Sequence, residues 1–193
     1  VEALEAIVLR FGTAEISERA EEQLIDGLVS AIQEPGSEET SGGWLVRGWG
    51  VISGSLGGIR LKPYLPQLAS LTLWRLGNRS ARIRQQAAEL VSVLAPVFSS
   101  SGEESTLNKL AVVLYENLGE EYPDVLASII LALKSIVGVI GLTKMTPSVS
   151  ELLPRLTPIL RNRHERVQDT CIQLVGVIAD RSGESVSSRE WMR

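Results

Sequence analysis

Few residues in this chain are equipped for chemistry. His164 is the only histidine and Cys171 the only cysteine among 193 residues, and such a pair could serve as base and nucleophile. Both fall on one predicted helix, where seven residues at about 1.5 Å of rise each place them roughly 10 Å apart along the axis. That is beyond hydrogen-bond reach. No HxxxH or CxxC spacing occurs, and a lone His and a lone Cys cannot complete a zinc site without carboxylates. The run GGWLVRGWGVISGSLGG contains Gly48, Gly50 and Gly54 and superficially suggests a phosphate loop. It lacks the Lys-Ser/Thr of a Walker motif and no strand precedes it, so small residues permitting close helix packing are the expected role. Asn78-Arg79-Ser80 matches a glycosylation sequon, which is expected to carry nothing, since no secretory signal is expected. Cys171 is expected to be a buried structural thiol.

Charge is the more informative polar feature, because it is segregated. Net charge is −6 over residues 1–60, +4 over 61–100, −4 over 101–153 and +2 over 154–193, for a total of −4. Arg79, Arg82 and Arg84 cluster at one predicted inter-helix turn, and Arg161, Arg163 and Arg166 cluster at another. Between them lies the acidic turn GEEYPD, with Glu120, Glu121 and Asp124. Stacked repeats would line these turns along one edge as a basic, acidic, basic stripe. Two readings stand: an edge that docks acidic protein segments or RNA phosphates, with the acidic patch as a contrasting contact, or charges that merely favour helix ends and solvated turns.

The elements that would position these turns come from a 42-residue period. Leu68, Leu110 and Leu152 fall in step, as do Leu76, Leu118 and Leu160. Three further rows read Leu45, Ala87, Ile129 and Cys171; Trp49, Val91, Leu133 and Val175; and Ile52, Leu94, Ile136 and Ile178. Within a unit the last three rows are spaced i, i+4, i+7, one face of an α-helix. A helical pattern at this period predicts an all-α, HEAT-repeat α-solenoid of paired antiparallel helices, each unit covering its neighbour's apolar face. Trp49 shares a core row, whereas Trp44 and Trp74 are expected to be partly buried, with an exposed one able to anchor a partner.

Composition agrees. Apolar residues make up 44% and aromatics 5%, and strand-like alternation is absent. A pI near 5.2 gives no global basic field for nucleic acid. One cysteine excludes an internal disulfide framework, and no segment of eighteen or more apolar residues lacks charge or helix-breaking punctuation. The expectation is a soluble chain with no membrane address.

Along the chain, a partial unit is expected at 1–12, full units at 16–58, 62–99, 104–141 and 146–182, and the start of another at 187–193. Predicted helices run over 16–33, 44–56, 63–76, 80–98, 105–118, 123–140, 147–160 and 165–180, with a polar loop at 34–43. Pro123 and Pro147 are read as first-turn prolines, with Thr146 capping the latter. Pro154 and Pro158 should bend their helix. Ser187 and Glu190 resemble a capping box. Both ends cut through repeats, so the expectation is a fragment of a longer array.

Particular segments carry a more specific resemblance: EEQLIDG (21–27), KPYLPQL (62–68), LWRL (73–76), RQQAAEL (84–90), VVLYENLGEEYPDVLASI (112–129), KMTPSVSELLPRLTPILRNRHERVQDTCIQLVGVIADRSGE (144–184) and the final REWMR. Together they resemble the HEAT-repeat domain of the large subunit of splicing factor 3b. The likeness weakens across 35–59 and 99–107. It implies a nuclear, non-enzymatic scaffold of the spliceosome, within the small nuclear ribonucleoprotein that recognises the intron branch site. The implied partners are other splicing factor 3b subunits, spliceosomal proteins and the branch-site RNA duplex or intron RNA, with no cofactor, membrane or small-molecule substrate. The periodicity alone fits a nuclear transport receptor or a phosphatase scaffold equally well. An enzyme fits worst, for want of convergent His, Cys and carboxylates.

Overall fold

The computed structural model describes residues 18–33, 46–50, 52 and 61–185. Helix α1 spans Glu18–Gln33, and residues 46–50 are helical. A 3-10 turn over Lys62–Tyr64 leads into α2, Leu65–Leu76, followed by α3, Ala81–Ser100. Next come α4, Glu104–Glu116, a 3-10 turn over Asn117–Gly119, and α5, Pro123–Ile140. Helices α6, Val149–Ile159, and α7, Glu165–Ser185, complete the order. No strand occurs among the described residues. The expected partial unit at the start, the 34–43 loop, Trp44, Leu45, Gly54 and the Ser187–Glu190 box all lie outside the described residues.

Each first helix packs on its own second helix across a short turn, and the second helices α3, α5 and α7 stack side by side. The apolar rows account for this. Leu68, Leu110 and Leu152 are buried, as are Ala87, Ile129 and Cys171; Trp49, Val91 and Leu133; and Ile52, Leu94, Ile136 and Ile178. One member per unit at a constant step is what stacked layers need, since each helix presents its stripe to the next. A methyl on Gly48 would lie 3.3 Å from Leu28 Cδ2 of α1, so that glycine permits a close approach of helices, whereas one on Gly50 would lie 3.6 Å from Val93 Cγ1 of α3, an ordinary contact.

Helix α5 has the length and apolar composition to cross a bilayer, with a mean hydropathy of 1.9. Pro123, Asp124 and Lys134 punctuate it, and its apolarity is used inside the protein, where α3 and α7 cover its opposite flanks. It opens on Pro123, whose missing N–H costs nothing in the first turn, and closes on Gly141 at φ 82°. Gly102, at φ 77°, likewise ends α3, and the N–H of Glu103 returns to the Phe98 carbonyl at 2.9 Å.

Helix α6 differs from expectation at its start. It begins at Val149 with Ser148 at the N-cap, so Pro147 precedes the helix and Thr146 does not cap it. The Glu151 carboxylate accepts from the Ser148 backbone N–H at 3.0 Å, which favours Ser148 over Thr146 as the boundary. Instead, the Thr146 N–H donates to Asn108 Oδ1 at 3.0 Å, while Asn108 Nδ2 donates to the Lys144 carbonyl at 2.9 Å. The loop is thereby fastened to α4. Pro154 and Pro158 both sit inside α6, which continues through them.

Candidate functional site

The three first-to-second-helix turns of α2–α3, α4–α5 and α6–α7 share a local construction that repeats in register. Asn78 Oδ1 accepts the Ser80 N–H at 2.9 Å, Glu120 Oε1 accepts the Tyr122 N–H at 3.3 Å, and Asn162 Oδ1 accepts the His164 N–H at 2.9 Å. Asn is the ordinary residue for such a turn. Only the middle turn uses a carboxylate, and that difference gives Glu120 a second role.

The Glu120 carboxylate receives Arg84 through two parallel hydrogen bonds, Nε to Oε2 and Nη2 to Oε1, both 2.9 Å. Arg84 Nη1 also donates to the carbonyls of Asn78 and Arg79 at 2.9 Å each, and its guanidinium lies 5.9 Å from the centre of the Tyr122 ring. One side chain therefore closes its own turn and grips the next. The bidentate bond raises the Arg84 pKa, against the opposing effect of burial. Burial pushes the Glu120 carboxyl up, but the hydrogen bonds from Arg84, Tyr122 and Glu121 and the Arg84 charge outweigh it, holding the group below its ordinary range.

On the other side, Arg166 Nη1 donates to Asp124 Oδ1 at 2.8 Å. The acidic turn is thus joined to a basic residue from each neighbour. Of the six arginines and three acidic residues singled out in the sequence, Arg84 is paired with Glu120 and Arg166 with Asp124, and each pair joins adjacent turns. Arg79, Arg82, Arg161 and Arg163 are exposed and enter no ion pair among the described residues, and Glu121 is exposed beside them. Those five remain available at the edge.

A further tie joins the first-helix layer. Arg155 Nη1 donates to the Tyr115 carbonyl at 3.0 Å, with its guanidinium 4.8 Å from the ring centre. Trp74, expected to be partly buried, is 69% exposed on α2.

The His–Cys pairing is absent. His164 is exposed, whereas Cys171 is buried with Sγ 3.6 Å from the Leu156 carbonyl, and burial pushes its thiol pKa up. Among the described residues no group of three or more His, Cys, Asp or Glu converges to hold a metal ion.

The apolar rows concealed a polar one. Gln86, Ser128 and Thr170 stand 42 residues apart and are all buried across α3, α5 and α7. Gln86 Oε1 lies 3.5 Å from Nη2 of the buried Arg75, and Thr170 Oγ1 donates to the Val167 carbonyl at 3.0 Å. The Ser128 hydroxyl has no hydrogen-bond partner among the described residues. Applying the 42-residue step to polar positions would have revealed this row.

No family model matches the chain. Over its whole length it is 52% identical to part of U2 snRNP component prp10 of Schizosaccharomyces pombe, and it spans 16% of that protein. It is 42% identical, again over its whole length, to part of U2 snRNP component HSH155 of Saccharomyces cerevisiae, spanning 20% of it. A designed armadillo repeat protein in complex with peptide (KR)4 superposes with a TM-score of 0.37 at 15% identity over 92% of each chain, too loosely to bear on the fold.

Proposed function

We propose, from the premise that this chain is homologous along its entire length to one segment of two U2 snRNP components, that it forms part of a non-enzymatic spliceosomal scaffold. The observation carrying this reading is the 52% identity without loss of coverage. It agrees with the resemblance to the large subunit of splicing factor 3b. In this reading the chain acts in the nucleus as a piece of a longer array, with repeat units at 16–58, 62–99, 104–141 and 146–182. Helix stacking sets a fixed curvature, inter-turn ion pairs hold adjacent repeats in register, and the exposed arginines at the edge contact spliceosomal proteins or intron RNA. No covalent step is required. Identity over the whole chain disfavours a transport receptor or phosphatase scaffold, which would share only the helical pattern.

The test uses the full-length protein, tagged and recovered from nuclear extract. Wild type is expected to bring down U2 snRNA and unspliced pre-mRNA. Changing Arg79, Arg82, Arg161 and Arg163 together to Glu should weaken that recovery in a salt-sensitive way while leaving helicity unchanged, because none of the four makes an ion pair within the described residues. Absence of U2 snRNA from the wild-type recovery would overturn the scaffold reading, and unchanged recovery by the variant would remove the arginines from it.

A further inference from the structure

The turns between first and second helices carry an exposed row at the 42-residue step. Ser80, Tyr122 and His164 each stand immediately before a second helix, α3, α5 and α7, and each is exposed. Their backbone N–H groups are fixed by the turn acceptors Asn78, Glu120 and Asn162, so the three side chains leave equivalent places on one edge. A hydroxyl in the first layer gives way to a phenol in the second and an imidazole in the third. The 2.8 Å bond from Arg166 to Asp124 joins the last two turns. Two planar rings therefore stand in adjacent layers, which packed helices separate by about 8–10 Å.

Tyr122 is held as a platform. Its ring is 57% exposed, yet the Arg84 guanidinium lies 5.9 Å from the ring centre. That guanidinium is itself fixed by the Glu120 carboxylate and by the carbonyls of Asn78 and Arg79. A ring resting on a clasped cation has little freedom to lose when a ligand covers it.

Charge completes the pattern. Arg79 and Arg163 stand one residue before the row in the first and third layers, and Glu121 fills the same position in the second. With Arg82 and Arg161, these arginines are exposed and enter no ion pair among the described residues. Uncommitted cations thus flank the two rings from both ends of the edge, with one carboxylate between them.

We propose that this edge binds a single-stranded segment of RNA, with bases stacked on Tyr122 and His164 and phosphates held by the flanking arginines. The proposal rests on the scaffold reading and deepens it by naming the partner of the edge. A single strand is favoured because a duplex hides the base faces that a planar side chain can cover. An acidic peptide would use the arginines alone. Glu121 would oppose its charge as it opposes a phosphate, with no base stacking to offset the repulsion.

The experiment measures fluorescence anisotropy of the full 193-residue chain with three labelled probes: an oligouridylate, an RNA duplex of equal length and a polyglutamate peptide. The oligouridylate should bind most tightly, with an affinity that falls as salt rises. Tyr122→Ala and His164→Ala should each weaken it about tenfold, the loss of one stacked base. Tyr122→Phe keeps the ring and should bind as wild type does, which separates stacking from any role of the hydroxyl in the turn. Glu121→Gln should bind more tightly, since it removes the carboxylate between the two arginine pairs. Equal or tighter binding of the duplex or the peptide, unchanged affinity in both alanine variants, or a loss in Tyr122→Phe as large as in Tyr122→Ala would each overturn the proposal. Any of these results alongside recovery of U2 snRNA by the wild-type protein would remove the stacking edge and keep the scaffold, whereas stacking without that recovery would do the reverse.

Discussion

Helices α5 and α7 hold the same place in successive layers, yet equivalent residues on them have opposite fates. Ile130, on α5, is 0% exposed, while Ile172, 42 residues later on α7, is 60% exposed. Val137 is buried and Ala179 is exposed by the same step. Helix α5 is flanked by α3 and α7, whereas α7 has α5 on one flank and no second helix among the described residues on the other. The comparison shows that burial here is a property of the stack, set by the neighbour and not by the residue type. Hydrophobic stabilisation in a solenoid accrues at interfaces between layers.

The sharpest way to break that comparison is to put the same carboxylate at both positions. Ile130→Asp should cost at least about 3 kcal/mol, because an unpaired charge would be enclosed in the apolar core. Ile172→Asp should change stability in this chain by less than about 0.5 kcal/mol, as for an exposed site. Ile129, on the buried row with Cys171, should behave as Ile130 does. Thermal circular dichroism of the variants decides the matter, and equal melting of Ile130→Asp and Ile172→Asp would show that the stack is not as described.

The two ion pairs of the acidic turn give a second contrast. Arg84 and Glu120 side chains are 18% and 8% exposed, while Arg166 and Asp124 are 47% and 71% exposed. Arg84→Ala strands a nearly buried carboxylate and releases two turn carbonyls, so a loss of about 1–3 kcal/mol is expected. Arg166→Ala removes a pair that water already screens, at a cost of about 0–1 kcal/mol. Denaturant titrations of both variants should rank them in that order, and the reverse order would mean that exposure does not govern these bonds.

A smaller effect is expected at Cys171, which is buried where Ala87 is buried two layers earlier. Its raised pKa and enclosure should make the native thiol unreactive toward iodoacetamide at neutral pH, with labelling appearing only as urea unfolds the chain. Prompt labelling of the native protein would place α7 in a looser layer than α5.

The layers themselves were legible in the sequence because apolar residues at a constant 42-residue step can be satisfied only by identical stacking. Pro123 marked the start of α5 for an equally local reason. Legibility fell away where side chains reach across layers. Arg84 and Glu120 are 36 residues apart, off the repeat step, so segregated charge read as two separate patches when it is partly a clasp. The row of Gln86, Ser128 and Thr170 keeps the step, but its members differ in size and hydrogen-bonding chemistry, so it carries no common apolar signature. Trp74 lies in the last turn of α2, where a helical segment does not by itself say which side is covered.

The clasp also makes the acidic turn a pH-dependent element, which distinguishes it from the buried apolar rows. Burial alone would raise the Glu120 pKa, but its hydrogen bonds and the Arg84 charge lower it below the ordinary value of 4.5. A carboxyl whose folded pKa is depressed binds its proton less readily in the native than in the unfolded chain, so it adds stability above the unfolded value. That contribution disappears as pH falls from about the unfolded value through the lower folded one. Wild type should therefore melt above Glu120→Gln at neutral pH, and the gap should close on acidification below the ordinary carboxylate range. Arg84→Ala removes the main cause of the depression and should flatten the same acid limb, whereas Ile172→Asp, far from the turn in sequence and already exposed, should leave the limb of wild type in place. Melting temperatures of the four proteins across the acid range test this. A gap between wild type and Glu120→Gln that stays constant or widens as pH falls would mean that Arg84 does not hold Glu120 in its charged form.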